Sequence, residues 1–402
     1  MGLDLSALSK QVRQMSQTAA LNAADVATRA AMARERYLAA AGEEAYWAQA
    51  ANLSRESASW LLAMPVEPLD TARPLPPAPT AYSVVATDGS QIDLDRHGAV
   101  ACYLINIGRV FIRYGREPKA RLTSQPALYY REEDLYLSDG ARRVLIEGNY
   151  LSARRDVDEG LALADLAAEF LNDDLPAIAL QDGTLVRWTL AGAERFVQDH
   201  FISRYLGYLE RMRERGVPVA SYISRPRSPE VVGTIRLMLC PDVDVPAGRG
   251  AKCSECSDVL AGRAPSCMPC QGLVDADVLA EGLAEGQRGP LFASLSRINV
   301  ERYGEHLIHF FHMRVGRELC RVEIPRWVAV DAAMVDQVHA LVYDQCARGD
   351  GYPVALARAH EQAIVRSADR RAFLRMLEGS LYRAEAANDV SAKKASKEFS
   401  RG

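Results

Sequence analysis

The chain has 402 residues, 48 of them Lys or Arg and 52 Asp or Glu, for a net charge of −4 at pH 7. That length suits one large domain or two ordinary ones, and the near-neutral balance excludes a globally basic polyanion binder while leaving room for a local basic groove. No run of about 18 apolar residues exists to span a bilayer, and the N-terminus lacks the basic-then-apolar pattern of a secretory leader, so the expected compartment is the cytoplasm.

Residues 1–64 are Ala-rich and free of proline, and they predict a helical segment. Leu5, Leu8, Val12, Met15, Ala19, Asn22 and Val26 recur in steps of three and four, a short heptad seam. It suits packing on the chain's own domain or self-association, with Trp47 and Trp60 as anchors for either. Residues 65–80 hold six of the 19 prolines and read as an extended connector.

An α/β pattern follows over 81–377. A strand is expected at 84–88, then two antiparallel strands at 99–107 and 109–114 about Gly108. Residues 135–151 read as helical or mixed, and 157–170 as an amphipathic helix that stops before Pro176. A strand at 177–182, a helix at 196–215 closed by Gly216, a strand at 217–224 and a basic turn at 225–228 come next. Residues 237–289, rich in Gly, Pro and Asp, read as an insertion. Strands at 291–299, 306–315 and 320–324 precede helices at 335–347 and 354–364. Residues 378–402 read as a helix end and a basic tail without a core.

Chemistry concentrates in two strand ends. Tyr82-Ser83-Val84-Val85-Ala86 runs through Thr87 into Asp88-Gly89-Ser90, and Ala177-Ile178-Ala179-Leu180-Gln181 runs into Asp182-Gly183-Thr184. Each reads as a buried strand that ends in a carboxylate, a glycine and a hydroxyl. Taken singly, either is equally a hairpin turn. On neighbouring strands the two carboxylates would repel unless a cation lay between them, and a hard divalent metal is the simplest occupant. A hydroxyl such as that of Ser90, beside the carboxylate, suits phosphate oxygens. Glu159 is either part of an acidic first helical turn or a third metal carboxylate. His360 gains meaning only if it shares a site with the carboxylates.

Arg113, Arg116, Lys119 and Arg121 form a basic run beside the first hairpin, either a solvated edge or a phosphate-tracking rim. Two Cys-x-x-Cys pairs, Cys253/Cys256 and Cys267/Cys270, are separated by ten residues. They fit a structural four-thiolate zinc site, while Cys102, Cys240, Cys320 and Cys346 read as small core residues of a reducing compartment.

The Asp-Gly-Ser after the first strand, the Arg-x-x-x-Glu helix, the Asp-Gly-Thr-Leu strand end and the late Gly-Tyr-Pro…Ala-His segment occur in that order over most of 82–366. Together they resemble the NurA nuclease family. The resemblance implies an α/β, RNase H-like (PIWI-like) fold, a mixed sheet flanked by helices. It implies manganese- or magnesium-dependent DNA cleavage, with single-strand endonuclease and 5′-to-3′ exonuclease activity. It further implies a homodimer that docks on a HerA-type hexameric ATPase to resect DNA ends, in recombination repair or in defence against foreign DNA such as phage.

By matching motif, Asp88 and Asp182 become the core metal ligands, His360 the late ligand, and Tyr352 the group that positions phosphate or water. Glu159 becomes the helix carboxylate, with Glu147, Asp158 or Asp165 as alternatives. Arg225 stands where the family has a lysine, keeping the charge but as a forked donor. The four-cysteine insertion is not expected of the family. Two other readings compete. An actin-like or sugar-kinase phosphotransferase needs a second phosphate loop and an adenosine pocket, for which there is no Gly-rich candidate. A non-catalytic, zinc-bearing DNA-binding or adaptor subunit fits poorly with Asp88, Asp182, Tyr352 and His360 occurring together.

Overall fold

The computed structural model describes residues 5–94 and 100–383. The expected basic tail, at 384–402, lies outside the described residues. Strands occur in chain order as β1 (Ala63–Pro65), β2 (Tyr82–Ile92), β3 (Tyr103–Tyr114), β4 (Lys119–Tyr129), β5 (Tyr136–Asp139), β6 (Arg142–Leu145), β7 (Ala177–Asp182), β8 (Val219–Ile223), β9 (Phe292–Ser294), β10 (Ile308–Val315) and β11 (Glu318–Pro325). The helices of eight or more residues are α1 (Leu5–Ala39), α2 (Glu44–Ser54), α3 (Asn149–Phe170), α4 (Arg195–Glu214), α5 (Glu230–Met238), α6 (Ala332–Arg348), α7 (Val354–Ala363) and α8 (Ser367–Arg383). The chain divides into two compact units, one of Met1–Leu75 with Ile223–Glu323, the other of Pro76–Tyr222 with Ile324–Gly402. None of the described helices is long and apolar enough to cross a membrane.

The second unit carries a mixed sheet in the order β4-β3-β2-β7-β8. β2, β3 and β4 form an antiparallel meander, and β7 and β8 then add in parallel. Tyr82, Val84, Val85 and Ala86 are all fully buried, so β2 is apolar on both faces, as a central strand must be. β4 is the exposed edge; its lysine, arginine and Pro126 suit a strand with one unpaired side. Between β2's meander and β7 runs α3, and between β7 and β8 runs α4, the helical crossovers that parallel neighbours require. Leu163, Leu166 and Ala167 of α3 are buried, and Phe170 stacks on Phe111 of β3 with ring centroids 4.5 Å apart.

Two expectations change here. The pair of strands foreseen at 99–114 is one strand, β3, with Gly108 in its middle; its antiparallel partner is β4. Gly108 is not a turn but a place of close approach. A Cβ on it would lie 2.1 Å from the carbonyl oxygen of Ala359, so glycine lets the backbone of α7 rest on the strand. The mixed stretch at 135–151 is a β5–β6 hairpin, after which α3 starts at Asn149, well before the expected 157. Leu151 and Ala153 are already buried, so the helix's packed face begins a turn earlier than its obvious apolar repeat.

The first unit carries the strand order β1-β9-β10-β11, with β9 antiparallel to both β1 and β10. Its core gathers Ala33, Tyr37, Trp47, Ile235, Phe292 and Phe310. The later part of α1 packs on this core, whereas Leu5, Leu8, Val12 and Met15 of the heptad seam are exposed. The strand expected at 291–299 stops at Ser294. Asn299 bonds the carbonyls of Ser294 and Ile308 and accepts from the Ile308 amide, which fixes a helical turn there instead.

Candidate active site

The parallel register of β2 and β7 runs from Ser83↔Ala177 to Thr87↔Gln181. The next residue on each strand is an aspartate, so Asp88 and Asp182 end up side by side. Their local settings differ. β7 ends at Asp182, and Gly183 turns the chain with φ of 74°. β2 does not turn at Asp88. It continues to Ile92 against β3, with Asp88 opposite Gly108, so this Asp-Gly pair is neither a hairpin nor a strand end.

Gly89 has another purpose. A Cβ there would lie 2.5 Å from Glu159 Oε1 and 2.7 Å from Arg155 Cγ. Its bare backbone therefore allows α3 to bring two side chains onto β2. The hydroxyl of Thr87 donates to the backbone carbonyl of Glu159 at 3.0 Å and fixes the helix at that height. Glu159 lies mid-helix and buried, not in an acidic first turn. Among its alternatives, Asp158 accepts from Tyr129 at 2.7 Å and Asp165 pairs with Arg211 at 2.7 Å. Neither they nor Glu147 line the cavity in which Asp88, Glu159 and Asp182 meet.

That cavity measures about 300 Å³, and its wall also includes Arg155, Asp156 and Arg187. Arg155 reaches Glu159 at 3.2 Å, and Arg187 pairs with Asp156 at 2.7 Å while its guanidinium lies 4.6 Å from the ring centroid of Tyr205. Burial pushes the Glu159 carboxyl up to about 8, with Asp156 and then Asp88 adding repulsion against the arginines. Asp182 is also held above the usual carboxylate range, by burial first and by Asp88, against the lowering effect of its bond from Tyr352. Four carboxylates thus share two arginines here.

Tyr352 follows a tight turn in which Asp350 and Gly351 have φ of 55° and 97°. Its hydroxyl donates to Asp182 Oδ1 at 2.8 Å, and its ring meets Tyr222 edge-on at 5.5 Å. Burial, then Asp182, raises the phenol well above its ordinary value, so it stays a donor. α7 begins just after it. Because α7 lies on β3 at Gly108, the register partner of Asp88, His360 comes over that aspartate, with Nδ1 2.7 Å from Asp88 Oδ2. His360 is otherwise exposed.

The remaining expected contacts fall elsewhere. The Ser90 hydroxyl donates to the carbonyl of Ala363 at 2.5 Å and so is committed to α7. Arg113 is opposite Ser83, five residues before Asp88 (88 − 83), which is roughly 17 Å back along the strand. Arg113 pairs there with Asp173, and Arg116 and Lys119 follow at the turn. That basic run is not beside the carboxylates. Arg225, with φ of 47°, belongs to the other unit and pairs with Glu318 at 2.6 Å. Asp156 and Arg187 escaped the sequence reading. The only local sign of Arg187 was its place five residues after the second Asp-Gly strand end.

Among the described residues, no group of three or more His, Cys, Asp or Glu side chains is arranged as the ligands of one ion. The donor set still suits a hard divalent cation. Asp88, Asp182 and Glu159 are oxygen donors on one cavity, and after burial, the first cause of the rise in Glu159 and Asp182, the neighbouring carboxylates add repulsion to both. Cys240, Cys253, Cys256 and Cys267 line a single cavity, while Cys270 is buried and takes no part in its wall.

Residues 82–365 match the family model of the NurA domain. No curated protein matches the chain.

Proposed function

Because the chain belongs to the NurA family, a family of nucleases, we propose that it is a divalent-metal-dependent deoxyribonuclease acting at the Asp88–Glu159–Asp182 cavity. The observation that carries this reading is the meeting on one cavity of three carboxylates, buried Glu159, half-buried Asp88 and Asp182 at the exposed end of its strand, from two parallel strands and a crossover helix. A sheet of three antiparallel strands followed by two parallel ones supports an RNase H-like core. Asp88, Asp182 and Glu159 would hold Mn2+ or Mg2+, with His360 at the rim.

When bound at these residues, such an ion would supply Lewis acidity, to activate water and to neutralise charge on the scissile phosphate. The chain's own groups prepare for this. The 2.7 Å contact between His360 Nδ1 and Asp88 Oδ2 orients the imidazole over that carboxylate. Tyr352 fixes one Asp182 oxygen, so the carboxylate presents the other. Arg155 and Arg187 place positive charge on the cavity wall where a phosphate would enter. Glu159 must lose its proton before it can ligate, so binding and cleavage should strengthen with rising pH.

In this reading the substrate is DNA, single-stranded or at duplex ends, cut by endonucleolytic and 5′-to-3′ exonucleolytic routes. The protein acts in the cytoplasm as a homodimer with a HerA-type hexameric ATPase, in end resection or in defence against foreign DNA. The test is incubation of the full chain with end-labelled single-stranded DNA and Mn2+, with and without EDTA. Cleavage that EDTA abolishes is the expected result. Absence of metal-dependent cleavage, both alone and with the ATPase partner, would overturn the proposal.

A further inference from the structure

The cysteine-rich segment has no part in the nuclease reading. We propose that Cys253, Cys256, Cys267 and Cys270 bind one zinc ion, and that this ion fastens the 237–289 segment both to α1 and to the residues after α2. The local backbone supports the choice that the spacing makes. Cys253–Glu255 is a single 3₁₀ turn with Cys256 directly after it, and Met268–Cys270 is another with Cys267 directly before it. Side chains three apart eclipse on such a turn, so each Cys-x-x-Cys pair presents its two thiols on one side. The Cys270 amide closes the second turn on the Cys267 carbonyl at 3.2 Å. Cys240 reaches the same cavity wall as Cys253, Cys256 and Cys267, but it follows the end of α5 with no second cysteine on its turn.

All four are free thiols. Two pairs of soft thiolates suit zinc, which takes a closed tetrahedral set of sulfurs at about 2.3 Å. The four sulfurs are not arranged about one point. The ion would gather two ready-made pairs, each thiol releasing its proton, and binding is thereby coupled to the packing of the loop that joins them. Four thiolates outweigh the charge of one zinc ion, and the surroundings supply donors. Arg236 Nη2 donates to Cys267 Sγ at 3.8 Å, with its guanidinium carbon 3.8 Å from the ring centroid of Trp60. The Ser59 amide donates to Cys253 Sγ at 3.4 Å. Bonds of this kind orient ligands from outside the metal's own shell.

The two turns are tied to different helices. Arg29 of α1 donates to the carbonyls of Pro269 at 3.0 Å and Gln271 at 2.7 Å, one on each side of Cys270. The Cys253 amide donates to the Ser57 carbonyl at 3.3 Å, and the Ser57 hydroxyl donates to the Ala251 carbonyl at 2.7 Å, just past α2. An ion that joins the turns therefore links α1 to the end of α2 within the first unit.

The full chain, purified without chelator, should hold about one zinc per protein, released by a mercurial thiol reagent and read with a chromogenic chelator. Cobalt in its place should give the intense visible and near-ultraviolet bands of a tetrahedral thiolate site. Cys253→Ser and Cys270→Ser should each lose most of the metal, and Cys240→Ser should keep it. Removing the zinc should speed tryptic cleavage at Lys252 and Arg263, and restoring it should slow cleavage again. None of these readouts involves DNA, so they stand or fall independently of the nuclease reading. A zinc-free chain that gives no thiolate bands with cobalt would overturn the proposal, as would bound iron with sulfide, or metal lost from Cys240→Ser and kept by Cys270→Ser. Unchanged proteolysis on zinc removal would overturn the fastening role. If the serine variants fail to fold, the zinc content and cobalt spectrum of the wild type decide the question.

Discussion

Each unit of the protein gathers a group of carboxylates, and the two groups are handled in opposite ways. In the first unit, Glu230 and Glu323 are almost fully buried, and Arg321 between them is 2% exposed. Arg321 reaches Glu230 at 2.5 Å and Glu323 at 2.8 Å, and its guanidinium also lies 3.5 Å from the ring centroid of Phe310. Ser228 and Ser294 bond the same glutamate. Burial pushes the carboxyl of nearby Asp275 up to about 8. The group is closed, with a permanent cation inside it. In the second unit, Asp88, Glu159 and Asp182 face an open cavity, and the arginines there are shared with Asp156. A carboxylate group with its own buried arginine is structural; one left short of positive charge beside a cavity is where an external cation belongs.

The sharpest way to break this contrast is to neutralise each group in turn. Asp88→Ala or Asp182→Asn should cut DNA cleavage by about a thousandfold or more while leaving the fold intact, read by single-turnover cleavage and by thermal melting. A large loss of stability would move the site into the structural class. Arg321→Met should do the reverse. It strands two buried glutamates and should lower stability by about 3–5 kcal/mol in urea unfolding. An unchanged unfolding midpoint would remove the basis of the comparison.

Smaller effects test the supporting bonds. Tyr352→Phe removes the donor to Asp182 and should lower metal affinity or cleavage by about 10- to 100-fold, with little change in melting temperature. The pH dependence of the metal-free protein gives the finest test. Glu159 has a folded value of about 8 against an ordinary 4.5, so between those pH values the folded chain holds a proton that the unfolded chain has released. Its contribution to stability is therefore full below the lower value and is lost as pH rises through about 8. Glu159→Gln should flatten that decline in a pH series of melts. Saturating Mn2+ should reverse it, because the ion binds only the ionised form.

What the sequence disclosed was local. The apolar runs before Asp88 and Asp182 marked β2 and β7, and the amphipathic repeat between them marked the crossover that makes those strands parallel neighbours. The meaning of the glycines was hidden, because Gly89 and Gly108 are required by backbones that approach from positions far away in the chain. Glu159 was found by motif, but its burial was obscured by the charged stretch Arg154–Asp158, which disguised the first turns of α3. Arg187 and Asp156 had no pattern to declare them. The sharing of one unit by 1–75 and 223–323 likewise rests on contacts between distant segments.

The central claim is that the carboxylate cavity binds a divalent ion, and titration of the metal-free protein with Mn2+, following free Mn2+ by its electron paramagnetic resonance, tests it most directly. The account predicts saturable binding that is tighter at pH 8.5 than at pH 6 and is lost when Asp88 and Asp182 are both replaced by asparagine. Equal binding by that double variant and the wild type would contradict it.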